Sequence, residues 1–125
     1  MELSDQQFDE LITAAMNELP QQYIRNLNNV AVVMADEPSA EQLTRQGVRH
    51  GHLLLGLYEG VPLTQRGAGY QFVLPDKITL FKHPLISISG SDDALRANIK
   101  RTLWHEIAHH YGMNHADIDR IEKRP

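Results

Sequence analysis

Apolar residues recur at helical spacing close to the start of the chain. Phe8, Leu11, Ile12, Ala15 and Leu19 share one side of a helix that Ser4 or Asp5 can cap and Pro20 stops. After Asn28-Asn29 the pattern changes to the continuous run Val30-Ala31-Val32-Val33-Met34, which predicts a short strand covered on both faces. Residues 36–47 are polar and carry Pro38 and Gly47. Ser39 with Gln42 can nucleate one helical turn there, and the rest reads as loop. His52 to Tyr58 and Lys77 to Lys82 are the other strand segments, separated by a turn-rich stretch from Gly60 to Gly69.

A second long helix is predicted to start near Ser91 to Asp93, where three capping-type residues bring negative charge to a helix N-terminus. Leu95, Ile99 and Leu103 lie on one side of it, with Arg96, Lys100 and Arg101 elsewhere. From Trp104 to Tyr111 the groups are large or apolar nearly all around, so this helix enters solvated and ends surrounded. Ala116 to Lys123 predicts a short third helix with Ile118 and Ile121 turned inward.

Composition narrows the class without naming a function. A chain of 125 residues, 42% of them hydrophobic, supports one domain with one modest core. A net charge of −4 gives no general attraction to nucleic acid or to an anionic membrane, so neither is expected as a partner. The absence of cysteine excludes disulfides and thiolate metal ligands and suits a reducing cytoplasm. The first residues lack the basic start and apolar run of a signal peptide, and no segment is long enough to span a bilayer.

The chemistry is concentrated in His105-Glu106-Ile107-Ala108-His109-His110-Tyr111-Gly112-Met113-Asn114-His115. This run contains H-E-x-x-H extended to H-E-x-x-H-x-x-G-x-x-H, a zinc-binding and general-base signature. In a chain with 7 His and 8 Gly, the short motif arises by chance about 2 times in 100, and the long one on the order of once in ten thousand. The long motif is therefore specific.

Helix geometry explains the spacing. At ~100° and ~1.5 Å per residue, His105 and His109 sit ~40° apart on one face, one turn from each other, and Glu106 lies ~60° from His109 at the margin of that face. On a continued helix, His115 would lie ~9 Å beyond His109. Gly112 can adopt the left-handed conformation that ends a helix, so the chain can turn and carry His115 back toward the other two rings. Three imidazoles would leave one vertex of a tetrahedral zinc site open, the arrangement of catalytic zinc. Zinc would activate a bound water and polarise a carbonyl while Glu106 takes the water's proton and delivers it to the leaving amine.

The long motif resembles that of the metzincins, but the methionine turn of that group has no counterpart among the ten residues after His115. The chain more closely resembles the small bacterial minimal zincin-like metallopeptidases over about its last hundred residues. The matching segments are Val30 to Val33, Asp36-Glu37-Pro38, Leu55 to Leu63, Leu74 to Leu80 and His105 to Gly112. Several members of that family carry an aspartate where this chain has His115. The resemblance implies a single α+β zincin-like minimal domain over residues 1–125. In it, a small mixed β-sheet packs against an N-terminal helix and an active-site helix in the C-terminal half. It also implies that an extended substrate adds to an edge strand above that helix, and Ile78 to Phe81 is the candidate strand.

Other groups compete for roles. Asp117 or Asp119 could replace His115 as third ligand, or orient a ligand imidazole. His110 lies ~100° round the helix from His109, which directs it to the sheet rather than the metal. His50 and His52, if on a strand, would point to one face and could hold a second metal. His83, Tyr58, Tyr70 and Arg66 are candidates for stabilising an oxyanion. The expected activity is zinc-dependent hydrolysis of a peptide or protein substrate, with His105, His109 and His115 as zinc ligands and Glu106 as base. The alternatives are a zinc-binding module that captures peptides or regulates with little catalysis, and a protease restricted to one cellular regulator.

Overall fold

A computed structural model of the chain describes residues 2–67 and 75–122, without the side chains at positions 115, 119, 121 and 122. The first helix, α1 (Asp5–Glu18), begins in a capping box in which the Ser4 hydroxyl accepts the Gln7 N–H and the Gln7 side chain accepts the Ser4 N–H. Phe8, Ile12 and Ala15 are buried, as their spacing requires. Pro20 ends α1 and opens a short helix, α2 (Gln21–Arg25), that the apolar pattern does not announce. Gln21 donates to the carbonyls of Met16, Asn17 and Leu19 at 2.8–3.1 Å, satisfying groups that the end of α1 leaves open.

Among the described residues, three strands form a mixed sheet. They are β1 (Val30–Ala35), β2 (Gly56–Glu59) and β3 (Asp76–Phe81), in the order β1-β3-β2. The first pairs with β3 in parallel, and β2 pairs with it antiparallel, with Tyr58 opposite Ile78. Two strand expectations need correction. Residues 30–35 are not covered on both faces: β1 is an edge strand, half-buried, with Val33 37% exposed. A continuous apolar run marks a strand without saying how many neighbours it has. The second segment begins at Gly56 rather than His52, so the residues before it are loop.

Between β1 and β2 the polar stretch contains more helix than one nucleating turn. Ser39 and Gln42 form a second capping box, and α3 runs over Ala40–Arg45. Lys82, expected at the end of a strand, instead starts α4 (Lys82–Ser87); Pro84 is tolerated there because it falls in the first turn. The main helix, α5 (Asp92–Tyr111), is capped by Ser91, whose side chain accepts the Ala94 N–H. Leu95, Ile99, Leu103 and Ile107 of α5 pack with Phe8, Ile12 and Ala15 of α1 and with Ile78 and Leu80 of β3. The last helix, α6 (His115–Glu122), buries Ile118. Among the described residues, no helix is long and apolar enough to cross a membrane.

Candidate active site

The site forms where α5 runs beside β2, and a glycine sets how closely it can run. A Cβ on Gly56 would lie 2.6 Å from Thr102 Cγ2, so only glycine permits this approach. Four residues further along α5, and two further along β2, Glu106 Oε1 accepts the Tyr58 N–H at 2.9 Å. Four helical residues advance ~6 Å and two strand residues ~7 Å, so helix and strand keep pace and the second contact follows from the first. In a ladder whose Leu57 and Glu59 bond toward β3, the backbone groups of Tyr58 point to the edge away from β3, which has no further strand among the described residues.

Glu106 is nearly buried, with 11% of its side chain exposed, and His109 Nδ1 lies 3.3 Å from the same Oε1. This hydrogen bond to Glu106 raises the His109 imidazole pKa above its ordinary value, against the effect of burial. Neither Glu106 Oε2 nor His109 Nε2 has a hydrogen-bond partner among the described residues. His105, one turn back, is half-buried, and His109 is half-exposed. At this spacing both imidazoles of the H-E-x-x-H motif project from one side of the helix.

Gly112 performs the bend expected of it. It has φ +75°, and the N–H groups of Gly112 and Met113 return to the carbonyls of His109 and Ala108, both at 3.0 Å. This pair of bonds is a Schellman termination. Asn114 then caps α6, its Oδ1 accepting the Asp117 N–H at 2.8 Å. The backbone of His115 thus opens α6 directly after the bend, while its side chain lies outside the described residues. Asp117 is engaged by Arg120 at 3.2 Å, and the Asp119 side chain is outside the described set. Among the described residues, no three His, Asp or Glu converge as a metal cage, a set that omits His115.

A buried polar cluster anchors the end of α5, and its centre is a residue for which the sequence suggested no role. Asp76, 4% exposed, accepts the Tyr58 hydroxyl and Arg66 Nη2, each at 2.5 Å, and the Val61 N–H at 3.3 Å. Burial alone would raise its carboxyl pKa. The hydrogen bonds from Tyr58, Arg66 and Val61, with the Arg66 charge, outweigh burial and hold it below the ordinary value. Arg66 also donates to the Val61 carbonyl and to Asn28, binding three chain segments together. His110 is fully buried, its Nδ1 3.4 Å from the Tyr58 hydroxyl and 3.5 Å from Asp76 Oδ2, and its Nε2 accepts the Asn28 N–H at 3.5 Å. Burial and the Arg66 charge lower its pKa, against the opposing effect of Asp76. As its position on the helix predicted, His110 packs against the sheet. The available signal for Asp76 was an acidic residue opening a strand otherwise rich in buried apolar groups.

Several sequence candidates fall elsewhere. The strand proposed to receive substrate, Ile78 to Phe81, is the centre of the sheet with a neighbour on each side, so it has no open edge. The edge beside α5 is β2. Its four consecutive buried residues mark β3 as an interior strand. His50 and His52 are exposed on a loop, not alternating on a strand, which removes the geometric basis for a second metal. His83 is exposed near Glu37, with Nδ1 3.7 Å from its carboxylate. Tyr58 and Arg66 are committed to Asp76, and Tyr70 lies outside the described residues.

The donors present suit zinc. Two imidazoles one turn apart project from one side, a carboxylate is held beside them by a backbone N–H, and a third histidine follows the bend. No curated protein matches the chain. Among solved structures it is similar to a conserved hypothetical protein from T. thermophilus, with 25% identity and a TM-score of 0.58 over 87% of this chain and 94% of that one. Residues 27–124, which include all three strands, the Asp76 cluster and the whole histidine motif, match the zincin-like metallopeptidase family, and the chain belongs to that family.

Proposed function

We propose that this protein is a zinc-dependent peptidase acting on a peptide or protein substrate. His105, His109 and His115 hold the ion, and Glu106 moves the protons. The observation that carries this reading is the placement of Glu106 between a motif histidine and the edge of β2 away from β3. Membership of the zincin-like metallopeptidase family supports it independently.

When bound, zinc would supply a Lewis acid that lowers the pKa of water and polarises an amide carbonyl. The chain supplies the rest. The Tyr58 N–H fixes Glu106 through Oε1, so Oε2 is the atom that takes a proton from water and returns it to the leaving nitrogen. An extended substrate segment lying along β2 would find outward-facing backbone groups at Gly56 and the Tyr58 carbonyl, the Tyr58 N–H being held by Glu106. The site thus favours an extended chain over a compact fold. A reducing cytoplasm fits a chain without cysteine.

The test is to incubate the zinc-loaded protein with a peptide library and read cleavage by mass spectrometry. Glu106→Gln should keep its zinc and lose turnover by about 10²–10⁴-fold. Undiminished cleavage by that variant would remove Glu106 as base. His109→Ala should lose most of its zinc, and unchanged metal content would defeat the ligand set. If no library peptide is cut, capture of a protein by Glu106→Gln followed by its cleavage with the native chain identifies a narrowly specific protease.

A further inference from the structure

Tyr58 is touched by α5 at two points one turn apart. Glu106 meets its backbone N–H, and His110, four residues later on the same helix face, meets its ring and hydroxyl. The other side of the hydroxyl is occupied by Asp76, which lies two residues before Ile78, the register partner of Tyr58, and so faces the same side of the sheet. β2 has only four residues and, among the described residues, pairs with β3 alone, so few ladder bonds hold it. The side chain supplies the missing constraint.

We propose that Tyr58 is a positioning residue for Glu106. Its backbone N–H holds the carboxylate, while its hydroxyl, gripped by Asp76 and His110, fixes the strand that presents the N–H. Four features converge on this. Asp76 accepts the hydroxyl directly, the cluster is buried and further braced by Arg66, and Gly56 allows the helix close enough for the N–H to reach. Finally, burial and Asp76 push the phenol pKa well above its ordinary value, so the hydroxyl is a neutral donor throughout the working range. The inference rests on the reading of Glu106 as the proton carrier.

The experiment compares Tyr58→Phe with the native zinc-loaded protein, using amide hydrogen exchange at position 58 together with steady-state kinetics. Loss of one buried hydroxyl bond should speed exchange at that amide about tenfold. It should lower kcat by about tenfold with KM within about twofold, and leave zinc stoichiometry unchanged. Tyr111→Phe is the control. It removes another hydroxyl bond at the end of α5, that of Tyr111 to the Tyr23 carbonyl at 2.5 Å, which lies on α2 rather than β2. It should leave both readouts near native. Native exchange and kcat in Tyr58→Phe, or equal losses in Tyr111→Phe, would overturn the proposal. So would loss of zinc in step with kcat, because that describes general loosening. Glu106→Ala should also speed exchange at the Tyr58 amide, and unchanged protection there would overturn the N–H contact itself. These exchange measurements do not depend on turnover. A native chain that cleaves nothing therefore defeats the functional reading and leaves the positioning question decided separately.

Discussion

The two halves of α5 share the apolar core, which Ile107 and Ala108 continue to the end of the helix, but the second half adds directional bonds to the sheet. Over its first half, Leu95, Ile99 and Leu103 are buried against Phe8, Ile12 and Ala15, and no single partner decides the geometry. Such contacts are non-directional and tolerate repacking at constant volume. Over its last two turns, Glu106 and His110 are placed by hydrogen bonds to single atoms of Tyr58, Asp76 and Asn28. Bonds of this kind fix position and orientation together and fail if one member is lost. The apolar half makes the helix stay; the polar end decides where its carboxylate and imidazoles point.

The strongest way to break this contrast is to remove one charge at the polar end. Asp76→Asn keeps the shape but removes the charge that the Arg66 guanidinium, whose side chain is 7% exposed, pairs with in this cluster. Breaking a buried pair in this way costs about 3–5 kcal/mol, measurable by urea unfolding with zinc chelated. The pH dependence follows from the sign of the shift. Because the folded-state carboxyl pKa is held below its ordinary value, its contribution is complete above about pH 4 and is lost as pH falls through the folded-state value. The native protein should therefore lose urea resistance below about pH 4, and Asp76→Asn should remove part of that slope. An unchanged slope would mean that Asp76 does not carry it.

A cavity in the apolar half sharpens the comparison from the other side. Leu103 is completely buried, and Leu103→Ala should cost about 3 kcal/mol through lost transfer energy and the space left behind. The variant that still folds should bind zinc with native stoichiometry, because none of the directional contacts near Glu106 involves Leu103. Zinc loss out of proportion to unfolding would show that the two halves of the helix are coupled after all.

The same contrast explains what could be read from the sequence. The first and main helices were legible because their signals are local: Ser4 or Asp5 as a cap at one start, Ser91 to Asp93 at the other, and apolar residues recurring every three to four positions. Gly112 was legible because a helix carrying two motif histidines must end before a third can return. Strand order was not, since Val30 to Met34 and Ile78 to Phe81 are both short apolar runs and only long-range pairing makes one an edge and the other central. The Asp76 cluster was hidden for the same reason. Its members come from Asn28, Tyr58, Val61, Arg66, Asp76 and His110, and nothing in the neighbourhood of any one of them specifies the others. Resemblance located the motif, but an aspartate in a matching segment has no stated role until its partners are known.

The smallest effect worth measuring is at the bend, where backbone conformation and packing can be separated. At φ +75°, a side chain at Gly112 costs about 1–2 kcal/mol from conformation alone. A Cβ there would also lie 2.3 Å from Thr64 Oγ1, on the 3₁₀ turn at Leu63–Gln65 that covers the end of α5. Gly112→Ala should therefore lose more stability than conformation alone predicts. Adding Thr64→Ala, which removes the hydroxyl and methyl in the way, should recover the packing part and leave about 1–2 kcal/mol. Because the bend also sets where His115 begins α6, zinc affinity measured against a competing chelator should stay weakened in both variants. Full recovery of affinity on relieving the Thr64 contact would assign the cost to the turn above the helix, whereas persistence assigns it to the left-handed glycine itself.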